Sequence, residues 1–105
     1  MSDRLINIVV SIFDLTKTDA EILKALINQK SGLLISDLTK TIKRSERTVR
    51  KRLKKLLERG ILQKEVEILN NKRLAYRYNI KSKRKLISKT KAHLLDVVRE
   101  LNKLS

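Results

Sequence analysis

Between Lys40 and Arg59 stand ten basic side chains (Lys40, Lys43, Arg44, Arg47, Arg50, Lys51, Arg52, Lys54, Lys55, Arg59) and two acidic ones, Glu46 and Glu58. Arginine carries a planar fork of donors that fits a phosphate or the outer edge of a guanine, and lysine carries a point charge that suffices for phosphate. Glu46 can meet Arg50 one helical turn on, but Arg47 with Lys51 and Lys51 with Lys55 repel at the same spacing. A polyanion relieves such crowding. The plainer reading is a solvated, lysine-rich helix face, and the shortage of acidic partners counts against it.

Other chemistry has little to work with. His93 is the only histidine and there is no cysteine. The carboxylates are scattered, as at Asp3, Asp14, Asp19 and Glu21, without metal-ligand spacing. Two glycines, Gly32 and Gly60, make no phosphate-cradling loop. No enzyme, metal or cofactor is expected, and His93 reads as a structural or surface residue.

The charge is uneven along the 105 residues. Residues 1–39 sum to −1, residues 40–91 to +16 and residues 92–105 to zero, for a total of +15. The partner surface therefore lies in the middle of the chain. A chain this short buries a modest fraction of its surface, which predicts a second copy. Absent cysteine fits a reducing compartment. Leu5–Phe13 is a short apolar stretch interrupted by Asn7 and Ser11, with no cleavage site after it, so a cytoplasmic protein without membrane contact is expected. Three aromatic residues are few for a helix lying on a membrane.

These side chains need elements to hold them. Leu5, Ile8, Val9, Ile12 and Phe13 follow helical spacing, although Ile6 and Val10 leave a strand open. Thr18 is placed to cap a second helix that buries Ile22, Leu23, Leu26 and Ile27 and ends near Gly32. Leu33–Ile35 is a short apolar run, and Ser36 is placed to cap a helix through Ile42. A turn at Lys43-Arg44 leads to Ser45, the cap of a helix whose Val49, Leu53, Leu56 and Leu57 share one face and which Gly60 closes. Arg47, Lys51 and Lys54 point away from that face.

From Ile61 to Ile80 the period becomes alternating, which predicts a hairpin. A three-residue loop, Asn70-Asn71-Lys72, pairs Ile68 with Leu74 and Val66 with Tyr76 and sets Glu65 across from Arg77. A two-residue loop would mix apolar and charged faces. Tyr76 and Tyr78 could stack on single-stranded bases, but their alternation with Leu74 and Ile80 assigns them to the sheet core. Ser82 is placed to cap a last helix in which Ile87, Leu94 and Leu101 fall seven apart and Thr90, Val97 and Leu104 fill the other seam position. Such a stripe calls for a second copy, with Leu5, Ile8, Ile12 and Phe13 as further seam residues. The basic run Lys81, Lys83, Arg84, Lys85, Lys89, Lys91 either extends a phosphate footprint or keeps that helix soluble.

The order helix, short strand, helix-turn-helix and hairpin is that of a winged helix-turn-helix: mainly α with a small β-hairpin, an N-terminal helix and a long C-terminal dimerisation helix. One domain is expected, divided into residues 1–14, 15–80 and 81–105. The stretches LTKTDAEILKAL and ISDLTKTIKRSERTVRKRLKKLLERGIL, with the hairpin after them, resemble the DNA-binding domain of archaeal TrmB-like and MarR-like transcriptional regulators. The turn departs from the pattern, with Lys43 and Arg44 where many such domains carry glycine and an apolar residue. Full-length TrmB proteins also carry a large sugar-sensing domain after the winged helix, so sugar sensing is not carried over. MarR-like proteins often hold small ligands between dimer helices and core, but no residue here specifies an effector.

The expected function is sequence-specific binding of double-stranded DNA by a homodimeric, nucleoid-associated transcriptional regulator. Ser45, Glu46, Arg47, Thr48, Arg50 and Lys51 are the candidates for base readout. Lys40, Lys43, Arg44, Lys54 and Lys55 are those for phosphate. Lys72, Arg73 and Arg77 belong to the wing, whose tip the resemblance sends to the neighbouring minor groove or its backbone. Two other readings stand beside this one: a chromatin protein of low sequence preference, and a winged helix used as a protein-interaction module.

Overall fold

A computed structural model describes residues 2–80 and 82–105 of the chain. The elements are α1 (Ser2–Phe13), α2 (Lys17–Leu26), β1 (Leu33–Leu34), α3 (Ile35–Ile42), α4 (Glu46–Glu58), β2 (Leu62–Ile68), β3 (Leu74–Ile80) and α5 (Lys83–Leu104). This is the expected winged helix-turn-helix with an added helix at each end.

In α1 the buried stripe is Ile6, Val9 and Phe13, at spacings of three and four. The expected stripe is thus rotated: Ile6 faces inward and Ile8 faces solvent. Asp14, at φ 54°, ends the helix, and the Leu15 amide donates to the Val10 carbonyl. Thr16, not Thr18, caps α2. Its hydroxyl accepts from the Asp19 amide at 3.1 Å while the Asp19 carboxylate accepts from the Thr16 amide at 2.9 Å. Two donors without helical partners are satisfied reciprocally. The helix stops at Leu26, well short of Gly32.

Gly32 lies at φ +76° where the chain passes β3, and a Cβ there would stand 2.5 Å from the Tyr78 carbonyl oxygen. The two-residue β1 pairs with β3, placing Leu33 opposite Tyr78. Helix α3 starts one residue before the expected Ser36 cap. The Leu34 amide donates to the Asp37 carboxylate at 3.2 Å instead. Lys43 at φ 55° ends α3, taking a left-handed position that glycine often fills.

Ser45 caps α4 as its sequence suggests, its hydroxyl accepting from the Thr48 amide at 3.1 Å. Val49, Leu53 and Leu56 are buried. Gly60 follows at φ 72°, and Ile61 donates to the Leu56 carbonyl, closing the helix. One core joins these residues to Ile6, Val9, Phe13, Ile22, Leu23, Leu26, Leu38, Leu62, Tyr78 and Leu86.

The sheet is antiparallel with β3 between β1 and β2. Its register is that of the three-residue loop: Ile68 faces Leu74, Val66 faces Tyr76 and Glu65 faces Arg77. Lys72, at φ 63°, supplies the left-handed residue of the turn, and its amide donates to the Leu69 carbonyl. Tyr78 is buried, but Tyr76 is 44% exposed and is not a core residue. The outer half of the hairpin reaches past the core, and Val66, Ile68 and Leu74 are exposed there too, so the alternation outlasts the surface it could bury against.

Ser82 caps α5, accepting from the Lys85 amide. Leu86 and Thr90 bury against the domain, and His93 stacks on Phe13 with ring centroids 4.6 Å apart. His93 is therefore structural, pinning α5 to α1. The far half of α5 projects, and the molecule measures 58 × 25 × 23 Å.

Candidate nucleic-acid interface

The α4 stripe turns Val49 and Leu53 inward and leaves Ser45, Glu46, Arg47, Thr48, Arg50 and Lys51 exposed around the first two turns. Lys54 and Lys55 are exposed a turn further on, and Lys40 and Lys43 are exposed at the end of α3. Lys72 and Arg73 are exposed at the hairpin tip. The exposed cations thus lie on α3, α4 and the hairpin tip, the elements of the helix-turn-helix and the wing.

Several arginines are already occupied within the chain. Arg44 donates to Glu21 at 2.7 Å, tying the turn to α2, so the phosphate role expected of it competes with an ion pair. The hydrogen bond from Arg44 holds the Glu21 carboxyl below its usual range. Arg77 donates to Glu67 at 2.8 Å and reaches toward the Gly32 carbonyl, which binds it to the sheet side away from α4. Its partner is the diagonal glutamate, not Glu65 directly opposite. Arg50 and Glu46 are paired at 3.2 Å, so two readout candidates hold each other in the free protein. Lys81 lies outside the described residues; the other basic side chains at the start of α5 are exposed.

Sequence reasoning missed what fixes α4. Arg52 donates through Nε and Nη2 to the two oxygens of Asp19 at 2.8 and 2.7 Å, and Asp19 is 0% exposed. Burial alone would raise the Asp19 carboxyl, but the Arg52 hydrogen bond, the Thr16 amide and the Arg52 charge outweigh it and lower it. The carboxylate that caps α2 thus also clamps α4. The signal was present: Arg52 is three residues after Val49 and four before Leu56, which puts it on the buried side. Arg59 was missed as well. It donates to the Phe13 carbonyl at 2.9 Å and joins the end of α4 to the end of α1.

Of the expected seam residues, Phe13 and Thr90 face inward, Thr90 donating its hydroxyl to the Leu86 carbonyl. Leu5 and Ile12 are half-buried against the core. Ile8, Ile87, Leu94, Val97, Leu101 and Leu104 remain exposed, and Leu95 and Val98 join them. Among the described residues no cluster of histidine, cysteine and carboxylates could hold a metal, and no helix is long and apolar enough to cross a membrane.

A capped helix bearing free cations at its N-terminal turns, a helix-turn-helix support and a basic hairpin define a winged helix-turn-helix DNA-binding regulator. Residues 10–84 match the family described as "Sugar-specific transcriptional regulator TrmB", and the chain belongs to that family of transcriptional regulators. Among solved structures, a possible transcriptional regulator from Methanosarcina mazei is similar over 92% of this chain and 82% of its own, with 26% identity and a TM-score of 0.81. A protein of the thermoacidophilic archaeon Sulfolobus tokodaii shares the fold over 93% of this chain and 91% of its own, with 23% identity and a TM-score of 0.72. So does a MepR variant from S. aureus bound to an oligodeoxyribonucleotide, over 90% of this chain and 69% of its own, with 20% identity and a TM-score of 0.61. No curated protein sequence matches this chain.

Proposed function

We propose that this protein is a sequence-specific regulator that binds a roughly palindromic operator as a homodimer. The observation that carries the reading is the division of labour on α4. Arg52 is committed to Asp19 on the inner side, while Arg47, Lys51 and Lys54 stand exposed on the outer side. The clamp holds the helix against the domain, so its first two turns can enter a major groove as a unit. Arg47 and Arg50 suit guanine, Glu46 suits a cytosine amino group and Thr48 a thymine methyl. Lys40, Lys43, Lys54 and Lys55 suit phosphates, and Lys72 and Arg73 suit the backbone or minor groove beside them.

The second copy docks along α5. Leu94, Val97, Leu101 and Leu104 lie along the exposed apolar side, and Ile8 of α1 is exposed as well. Two recognition helices then meet successive major grooves, and occlusion of a promoter is the simplest output.

Selection from a random duplex pool, across salt and competitor concentrations, tests this. An enriched inverted repeat with half-site centres about 10 base pairs apart is the expected result. Tight, steeply salt-dependent binding without enrichment would instead favour a chromatin protein, a reading supported by the exposed Lys83, Arg84, Lys85, Lys89 and Lys91 on α5. Absence of binding at low salt would exclude both.

A further inference from the structure

We propose that the outer half of the hairpin, on its α4 side, is an apolar seat for the deoxyribose rim of the same DNA duplex that α4 enters. The proposal rests on the DNA-binding reading and adds a surface to it. On that side Val66 pairs with Tyr76 and Ile68 with Leu74, and these four are 60%, 44%, 71% and 70% exposed. Closer to the core the same face carries buried Leu62 and Tyr78, so the strip is the core surface of the sheet continued into solvent.

Its surroundings specify the occupant. Arg50 of α4 lines a cleft of about 560 Å³ with Leu74, Tyr76 and Arg73, and a second of about 560 Å³ with Lys64, Lys54 and Tyr78. The strip therefore opens on the side from which α4 presents its cations. The Lys64 ammonium sits 4.3 Å from the centre of the Tyr76 ring. Both hairpin glutamates, Glu65 and Glu67, fall on the other side of the sheet by alternation. Glu58, at the α4 end of the second cleft, is the one carboxylate among the residues lining these two clefts.

A surface that is apolar in the middle and cationic at its edges matches the sugar–phosphate strand, whose carbon-rich sugars lie between anionic groups. A second copy of this chain would bring the same cations against it and be repelled. Burying C–H surface also accounts for isoleucine and leucine at a hairpin tip, where an isolated exposed edge would favour charge.

The test is a triple replacement, Val66→Thr with Ile68→Thr and Leu74→Thr, which keeps or raises strand propensity at exposed positions. Affinity for the selected duplex is measured as a function of salt. The expected result is a parallel displacement: binding weaker on the order of tenfold at every salt concentration, with the slope unchanged. Lys64→Ala, in contrast, lowers the slope. Leu74→Thr alone, expected to weaken binding severalfold, carries the test if thermal melting shows the triple variant unfolded. Wild-type affinity in the folded variant overturns the proposal, and so does conversion of a DNA-free dimer to monomer, which would assign the strip to a second copy. If the unaltered protein fails to bind any duplex, the DNA-binding reading falls first and this seat with it.

Discussion

Arg47 and Arg52 lie five positions apart on one helix and are predicted to fail in different ways. Replacing Arg47 by Ala is expected to weaken the best operator by about 1–3 kcal/mol and to relax discrimination at one base pair. Competition binding against single-base operator variants measures it. Lys54→Ala, by comparison, is expected to lower affinity for all duplexes alike and to reduce the salt slope by about one. Arg52→Met leaves a buried carboxylate without its counter-charge, and about 3 kcal/mol of stability should be lost at neutral pH. The pH dependence follows from the lowered Asp19 carboxyl. Such a group stabilises fully above the ordinary carboxylate range, and the contribution disappears as pH falls through the folded-state value. Urea unfolding should therefore show the gap between wild type and Arg52→Met wide at neutral pH and closing in acid. A gap independent of pH would mean that Arg52 stabilises through packing alone.

At the scale of elements, two glycines with the same backbone sign are predicted to behave differently. Gly32→Ala adds a Cβ 2.5 Å from the Tyr78 carbonyl, rigid backbone of the central strand, on top of an unfavourable φ. Gly60→Ala meets the Lys89 ammonium at 2.9 Å, the far end of a flexible side chain that can move away. The second change should cost about 1 kcal/mol, the left-handed strain alone, and the first clearly more. Chemical denaturation of the two variants compares them directly. The elements also show what could be read in advance. The α4 limits and the hairpin register were legible because Ser45, Gly60 and the alternation of Ile68, Val66, Leu74 and Tyr76 are local signals. The α2 cap was not, since Thr16 with Asp19 and Thr18 with Glu21 carry the same spacing. What separates them is Arg52, distant in sequence, whose fork pairs with the buried Asp19 carboxylate. The rotation of α1 and the exposure of Tyr76 had the same origin: periodicity identifies a face but not where the core ends.

For the whole molecule, α5 serves two structures at once in the proposed homodimer. Leu86, Thr90 and His93 pack against the domain, whereas Leu94, Leu101 and Leu104 stay exposed. Folding of the winged helix and the proposed association are thus expected to be separable. Leu101→Glu, at a site 59% exposed, is expected to leave the melting of the domain nearly unchanged while raising the dimer dissociation constant by about a hundredfold or more. Sedimentation equilibrium alongside circular dichroism distinguishes this from simple unfolding, and operator affinity should fall with the loss of the second half-site.

The stacking of His93 on Phe13 sets α5 against α1 near the middle of a 22-residue helix. In a dimer joined along α5, that contact acts as a fulcrum. From that contact to the end of the helix is about 16 Å, so a tilt of about 5° displaces the end by about 1.5 Å in each chain and by about 3 Å across the proposed pair. This is close to the rise of one base pair, about 3.4 Å along each strand. In the proposed homodimer, a change of packing too small to alter either domain would thus shift the two reading heads by about one letter of the operator, and the Phe13–His93 contact would gauge the half-site spacing.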